Sequence, residues 1–184
     1  MRAVGLSRLL TPVLAAVALA YLAGMVVNGA LPRQRQLVKF EAKGVLRIEP
    51  ELVRFVTLRR GGRQAQLLRS AEGGWTLEQG GAVGPEVARH LETAVKMLHR
   101  SPPVREIAPQ ELAGVDTGPF GLGEPSLRAA LAGPGGPVLS VRFGAHNPEG
   151  FLQYMAIEGD PKLYLMSRFI GAEWLAAFDG MEVR

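Results

Sequence analysis

Residues 53–69, VRFVTLRRGGRQAQLLR, decide the fold. Residues 53–58 are rich in β-branched and aromatic side chains, which favour a strand. Gly61 and Gly62 can both adopt the positive φ angles that a tight two-residue hairpin requires. Residues 64–69 then supply the returning strand. The segment therefore predicts a β-hairpin.

A second glycine turn and a third strand extend this hairpin into a β-meander. Gly73 and Gly74 form the turn, and Trp75 opens the strand at residues 75–77. We expect this tryptophan to fill the core, because its burial removes a large apolar area from water.

A helix is predicted from Pro85, where the spacing of apolar residues changes to three and four. Proline suits the first helical turn because its φ angle is already helical. The sequence SPP at residues 101–103 ends the helix. One face is apolar and is expected to pack on the sheet: Val87, Leu91, Ala94, Val95 and Leu98.

The second half of the chain alternates short strands with tight turns. Strands are predicted at residues 104–107, 138–143, 151–157 and 163–166, a helical turn at 109–112, and a carboxyl-terminal helix at 169–178. The fold class predicted from all these elements is α+β. Antiparallel β-meanders would pack around one central helix, and a short helix would close the chain.

A run of 24 uncharged residues between Arg8 and Arg33 predicts an N-terminal transmembrane helix. About 20 apolar residues in a helix cross the hydrocarbon core of a bilayer. A cleaved signal peptide is the alternative, although its apolar region usually covers about 7–15 residues. The predicted layout is a cytoplasmic stub and membrane helix at 1–32, a connector at 33–49 and a soluble domain at 50–184.

The orientation of the predicted anchor is open from charge alone. Arg2 and Arg8 precede the apolar run. A larger group of basic residues follows it: Arg33, Arg35, Lys39, Lys43 and Arg47. Because basic residues favour the cytoplasmic side, this count alone would place the soluble domain in the cytoplasm.

The composition excludes several classes of function. The chain of 184 residues is 47% hydrophobic, 21% charged and carries a formal net charge of +4. Seventeen of its 21 basic residues are arginines, and they are scattered, whereas a nucleic-acid-binding surface needs them on one face. We therefore predict no nucleic-acid partner. Cysteine is absent from the sequence, which excludes disulfides, thiolate metal sites and a cysteine nucleophile.

The stretch FGLGEPS at residues 120–126 is interpreted as a structural corner rather than a phosphate-binding loop. Gly121 and Gly123 lack the third glycine and the long following helix of a dinucleotide fingerprint. The carboxylate of Glu124 would also repel a phosphate. We expect the two glycines to let the chain bend close to Leu122, which should be buried.

No catalytic, cofactor-binding or metal-binding residues are predicted. His90 and His99 lie about 13 Å apart along one helix, which is too far for one metal ion, and His146 lies in a turn. Asp160 and Asp179 precede proline and glycine in common structural turns. None of the serines lies in a Gly-x-Ser-x-Gly elbow. The chain is therefore predicted not to be an enzyme and to use no cofactor.

Several motifs, taken in their order along the chain, resemble one family. The apolar amino-terminal segment precedes GGWTLEQ (73–79), VARHLETAVKML (87–98), FGLGEP (120–125), LSVRFG (139–144) and QYMAIEGDPKLYLM (153–166). Together they resemble the uncharacterised family called domain of unknown function 4340 (DUF4340) over residues 40–174. The Tyr-Gly-Leu corner usual in that family is Phe120-Gly121-Leu122 here.

The resemblance implies a membrane-anchored extracytoplasmic domain at the inner (cytoplasmic) membrane. Some members of the family accompany auxiliary subunits of ABC-type exporters, and the resemblance supplies no catalytic residues. We therefore predict a non-catalytic protein-interaction module of the cell envelope. Its partners would be envelope or transporter proteins, and the membrane through the amino-terminal helix.

Specificity is expected on exposed loops at residues 114–120 and 145–150, because loops on a rigid scaffold often carry binding residues. Two alternatives stay open. The first is a membrane-tethered domain that binds a small ligand or a glycan. The second is an envelope hydrolase.

Overall fold

A computed structural model of the chain describes residues 6–25, 43–70 and 72–181. The chain divides into two compact units, residues 1–41 and residues 42–184. In the first unit, helix α1 (Leu6–Met25) exposes six large side chains among those that the structure describes. They are Val13, Leu14, Val17, Leu19, Tyr21 and Leu22.

The predicted transmembrane helix is wrong for the residues that the structure describes. No helix among them is both long enough and apolar enough to span a bilayer. Helix α1 includes Arg8 near its start, so it contains only residues 9–25 of the uncharged run. The rest of the predicted span lies outside the described residues.

The second unit contains eight strands and three α-helices in its described part. The strands are β1 (Phe55–Arg60), β2 (Arg63–Arg69), β3 (Trp75–Leu77), β4 (Arg105–Ile107), β5 (Leu127–Gly133), β6 (Gly136–His146), β7 (Leu152–Ile157) and β8 (Leu163–Ser167). The helices are α2 (Pro85–Arg100), α3 (Pro109–Leu112) and α4 (Arg168–Asp179), and short 3-10 turns occupy Pro50–Leu52 and Gly118–Phe120. Gly61 and Gly62 form the first hairpin turn at φ angles of 52° and 83°, as predicted.

The predicted arrangement of separate β-meanders around a central helix is wrong. All eight strands form one antiparallel sheet in the order β3-β2-β1-β5-β6-β7-β8-β4. The two meanders merge because β1 pairs with β5, from Phe55 opposite Ala132 to Arg59 opposite Arg128. This contact joins segments about 70 residues apart in sequence, which local strand and turn signals do not specify.

Both long helices of this unit pack on one face of the sheet. The apolar face predicted for α2 is confirmed, since all five of its residues are buried. Helix α4 adds the fully buried Trp174 and Phe178, and the sheet adds alternating residues such as Leu58, Ala129 and Met155. The central helix is therefore one of a pair covering the sheet, and it is not surrounded by strands.

Trp75 is buried, as predicted, and it belongs to a polar network beneath α2. Its indole Nε1 donates to Glu92 Oε1 at 2.8 Å, and the same carboxylate oxygen lies 2.7 Å from Arg69 Nη1. The Arg69 guanidinium also lies 4.5 Å from the centre of the Trp75 ring and donates from Nε to the Val53 carbonyl oxygen. Glu92 therefore fastens α2 to the edge of the sheet.

Replacing Glu92 with alanine should destabilise the domain by about 2–3 kcal/mol. The substitution leaves the nearly buried Arg69 charge and the Trp75 N–H without their acceptor, and unpaired buried groups are costly. The measurement is the free energy of unfolding in urea. The control, Glu86→Ala, removes an exposed ion pair with Arg89 and should cost less than about 0.5 kcal/mol. Equal losses in both variants would contradict this role of Glu92.

Candidate functional site

A pocket of about 550 Å³ lies at the end of the sheet where β1 ends and β5 begins. Strands β6 and β7 contribute Phe143, His146 and Gln153 to its wall. Helix α4 covers it with Gly171, Ala172 and Leu175, and the stretch leading into β5 borders it with residues 123–127. The pocket is therefore on the helix-covered face of the sheet, and it opens to solvent.

The FGLGEPS stretch forms a rigid corner at the edge of this pocket. Gly121 has a left-handed φ of 64°, and a Cβ there would lie 2.8 Å from the Ala145 nitrogen. The carbonyl oxygen of Leu122 accepts from Arg142 Nη1 at 2.9 Å and from the Ser126 hydroxyl at 3.3 Å. The corner is thus fixed to β6. Leu122 itself is half-buried, so the prediction that it is buried is wrong.

A β-bulge in β6 shapes the floor of the pocket. Phe143 lies opposite Met155, but His146 lies opposite Gln153, so the register shifts between the two pairs. Gln153 Nε2 donates to the Gly144 carbonyl oxygen at 2.9 Å inside the bulge. Because Phe120 packs its carbonyl oxygen directly against Gly144, a side chain at residue 144 has no room.

The polar side chains that line the pocket come from four segments, namely β1 (Arg60), the corner (Glu124 and Ser126), β6 (His146) and β7 (Gln153). Arg60 lies 3.8 Å from Asp179, and Glu124 lies 2.8 Å from Arg128 across the corner. Gln153 Oε1 is buried and has no hydrogen-bond partner in the described part of the chain. This oxygen packs directly against Gly171, where a Cβ would overlap it.

Two exposed aromatic residues each precede a pocket-lining residue by two positions, Phe151 before Gln153 and Phe169 before Gly171. Phe151, immediately before β7, is 71% exposed, and Phe169, in the first turn of α4, is 59% exposed. Arg168 links the segments, because its backbone N–H donates to the Phe151 carbonyl oxygen and its Nη1 donates to the Gly150 carbonyl oxygen. Its guanidinium lies 5.3 Å from the centre of the Phe169 ring. We call Phe151, Arg168 and Phe169 the aromatic rim.

The aromatic rim adjoins the pocket along α4. Phe169 precedes Ala172 by three residues, a spacing that places two side chains on one face of a helix. Ala172 forms part of the pocket wall. Phe169 therefore lies on the face of α4 that contributes Ala172 to the pocket wall.

The histidines and aspartates have local structural contacts. His90 Nδ1 lies 2.7 Å from Glu173, and His99 is buried with its Nδ1 3.1 Å from the Leu46 carbonyl oxygen. The Asp160 carboxylate accepts from the Tyr164 hydroxyl at 2.6 Å, which lowers the pKa of Asp160. Burial, and then this hydrogen bond, raise the pKa of Tyr164. Over the residues described, no group of three or more histidine and carboxylate side chains could hold a metal ion.

Only part of each loop that was predicted to carry specificity, 114–120 and 145–150, lies at this surface. Gly118 from the 114–120 loop, and Ala145 and His146 from the 145–150 loop, line the pocket. The sequence analysis did not predict the aromatic rim. Phe169 does not fit the three-and-four spacing of the apolar residues in the last helix, and this mismatch is a signal that its ring is exposed. The sequence gives no sign that Gln153 reaches the pocket, because its place in the wall depends on the β-bulge in β6.

No protein-family model, curated protein or solved structure matches the chain. The resemblance to the DUF4340 family therefore stays a prediction.

Gly144→Ala should destabilise the domain by about 2–3 kcal/mol, because the added methyl group overlaps the Phe120 backbone and forces the corner away from β6. The measurement is again urea unfolding. Gly123→Ala is a matched control in the same corner, since a Cβ there meets no atom within 4 Å. Equal stability of Gly144→Ala and the control would contradict the close packing of the corner against β6.

Proposed function

We propose that this chain is a non-catalytic protein-interaction module that binds a segment of a partner protein at the pocket and the aromatic rim. The observation that carries the proposal is the pair of exposed phenylalanine residues on two segments that Arg168 joins by hydrogen bonds, near a concave surface. Each ring keeps a large apolar area in water, and a partner would remove it.

The residue types of the aromatic rim support binding to a protein. Aromatic residues and arginine are enriched in the small groups of residues that dominate interface energetics. A backbone hydrogen bond joins the two segments that carry the rings, so little backbone ordering is needed on binding. The expected partner segment places an apolar side chain in the pocket and a carboxylate or carbonyl oxygen near Arg168.

A small-ligand-binding domain is the second candidate. The pocket volume of about 550 Å³ falls within the range of small-molecule sites, which is about 300–1,000 Å³. Arg60 offers a charged donor in the pocket wall, where a polar ligand such as a sugar would use it. Gln153 Oε1 is buried against Gly171 and fixes the wall itself.

Hydrolysis has less support from the same surface. A glycosidase needs two facing carboxyl groups. Among the described residues that line the pocket, Glu124 is the one acidic side chain, and it pairs with Arg128. The extracytoplasmic location and the transport-assembly partner rest on the family resemblance alone and stay predictions.

Photo-crosslinking in cells tests the proposed function. A benzophenone amino acid replaces Ala172, an exposed residue in the pocket wall, in the full-length chain. We expect a covalent adduct of one defined larger mass after irradiation. Adding Phe151→Ser and Phe169→Ser should reduce its yield at least about fivefold, because exposed aromatic anchors dominate such contacts.

The control places the same amino acid at Gln79, an exposed residue in the turn after β3. An adduct of equal yield at both positions, or one that ignores the phenylalanine substitutions, would contradict the interaction surface. Absence of a protein adduct, together with a small molecule that co-purifies with the chain and is lost in Arg60→Ala, would support the second candidate instead.

A further inference from the structure

Three arginines form a row across three neighbouring strands. Arg59 of β1 lies directly opposite Arg128 of β5, and Arg128 lies directly opposite Arg142 of β6. Their strand neighbours Leu58, Ala129 and others face the helices, so the arginines point to the opposite face, which neither α2 nor α4 covers. Strands lie about 4.8 Å apart, so three like charges fall within about 10 Å. We call this set the arginine row.

The positive charge of the arginine row is only partly balanced by the described acidic side chains. Like charges directly opposite each other destabilise a sheet. Glu124 neutralises Arg128 with a contact of 2.8 Å. Arg142 instead donates to the neutral Leu122 carbonyl oxygen, and Arg59 has no ion-pair partner within the described residues. The row therefore carries more positive charge than its described partners balance.

A small cavity lies directly on the row. It measures about 170 Å³ and is lined by Arg128, Ser140, Arg142 and Glu158, among others, from β5 to the end of β7. The side chain of Arg128 is 39% exposed, but its Nε is buried and has no hydrogen-bond partner in the described structure. A nearby anion would offset the cost of that unpartnered cationic donor.

We propose that this cavity binds the phosphate group of a small molecule. The exposed guanidinium edges of Arg128 and Arg142 supply charge-assisted donors, and the Ser140 hydroxyl supplies a neutral one. Arg59 strengthens the local potential from the adjacent strand without lining the cavity. The volume accommodates one compact oxyanion and excludes a folded peptide segment.

Glu158 sets the strength of this site. Its carboxylate lines the cavity and opposes an incoming anion, so the native chain should bind phosphate weakly. Removing that charge should increase the affinity, whereas removing an arginine should reduce it. Non-specific attraction to a basic protein follows its charge, so a larger loss at Arg142 than at Arg59, for the same change of charge, identifies direct contact in the cavity.

The test is a titration of the ¹⁵N-labelled full-length chain with inorganic phosphate, followed by NMR of the arginine Nε–H groups. The buried Arg128 Nε–H is protected from solvent and provides the reporter. We expect a saturable shift that sodium chloride at equal ionic strength does not produce. A parallel titration with glycerol 3-phosphate distinguishes a free phosphate ion from a phosphate ester such as a lipid headgroup.

Three variants make the titration decisive. Arg142→Gln should weaken binding at least about tenfold, because a charge-assisted contact is lost. Arg142→Gln also loses the hydrogen bond to the Leu122 carbonyl oxygen, so a second variant is measured beside it. Arg59→Gln should weaken binding about two- to threefold, through the local potential alone. Glu158→Gln should strengthen binding by about the same factor.

A shift that stays linear, or that chloride reproduces, would overturn the proposed site. Equal affinity in the wild type, Arg59→Gln and Glu158→Gln would overturn it as well.

Discussion

The antiparallel pairing of β1 with β5 is the constraint on which the rest of this structure depends. It joins a hairpin from the first half of the domain to the strands of the second half and makes one continuous sheet. Helices α2 and α4 can then share one apolar face, where Leu91, Leu98 and Trp174 are fully buried. Without this pairing, β1 and β5 would each present an unpaired strand edge, and the two halves would not share one sheet face.

The same pairing builds both candidate sites at one end of the sheet. It brings Arg60 from the end of β1 to the pocket that α4 covers, and it aligns Arg59 with Arg128 on the opposite face. The corner at residues 120–126 lies between the two sites. Glu124 lines the pocket and also pairs with Arg128 of the arginine row. An anion that draws Arg128 away from Glu124 would therefore change the charge presented in the pocket.

Local signals in the sequence predicted most elements but not their assembly. The structure confirms three predictions that depend only on residues close in sequence. They are the burial of Trp75, the glycine turn at residues 61–62 and the apolar face of α2. Strand β1 begins two residues later than predicted and extends to Arg60, because its bounds follow its partners β2 and β5. Pairing over long sequence separations leaves no local pattern.

The candidate sites were less predictable for a related reason. Phe151 and Phe169 are separated by 18 positions, and a hydrogen bond between their segments makes them neighbours. Arginines that looked scattered along the sequence align in a row once the register is known. Charge and apolarity were visible in the sequence, but their arrangement depends on strand order and on the bulge in β6.

The most direct test of the β1–β5 pairing uses engineered disulfides, since the sequence contains no cysteine. Thr57 and Ala130 lie directly opposite each other, whereas Thr57 and Ala132 are offset by two residues. Directly opposed Cα atoms lie about 4.5–5.5 Å apart, within reach of a disulfide, and the diagonal pair is beyond it. Oxidation should cross-link Thr57→Cys/Ala130→Cys rapidly and Thr57→Cys/Ala132→Cys poorly, as read by gel mobility and mass spectrometry. Failure of the first pair to cross-link in the folded protein, or equal cross-linking of both pairs, would contradict the single sheet.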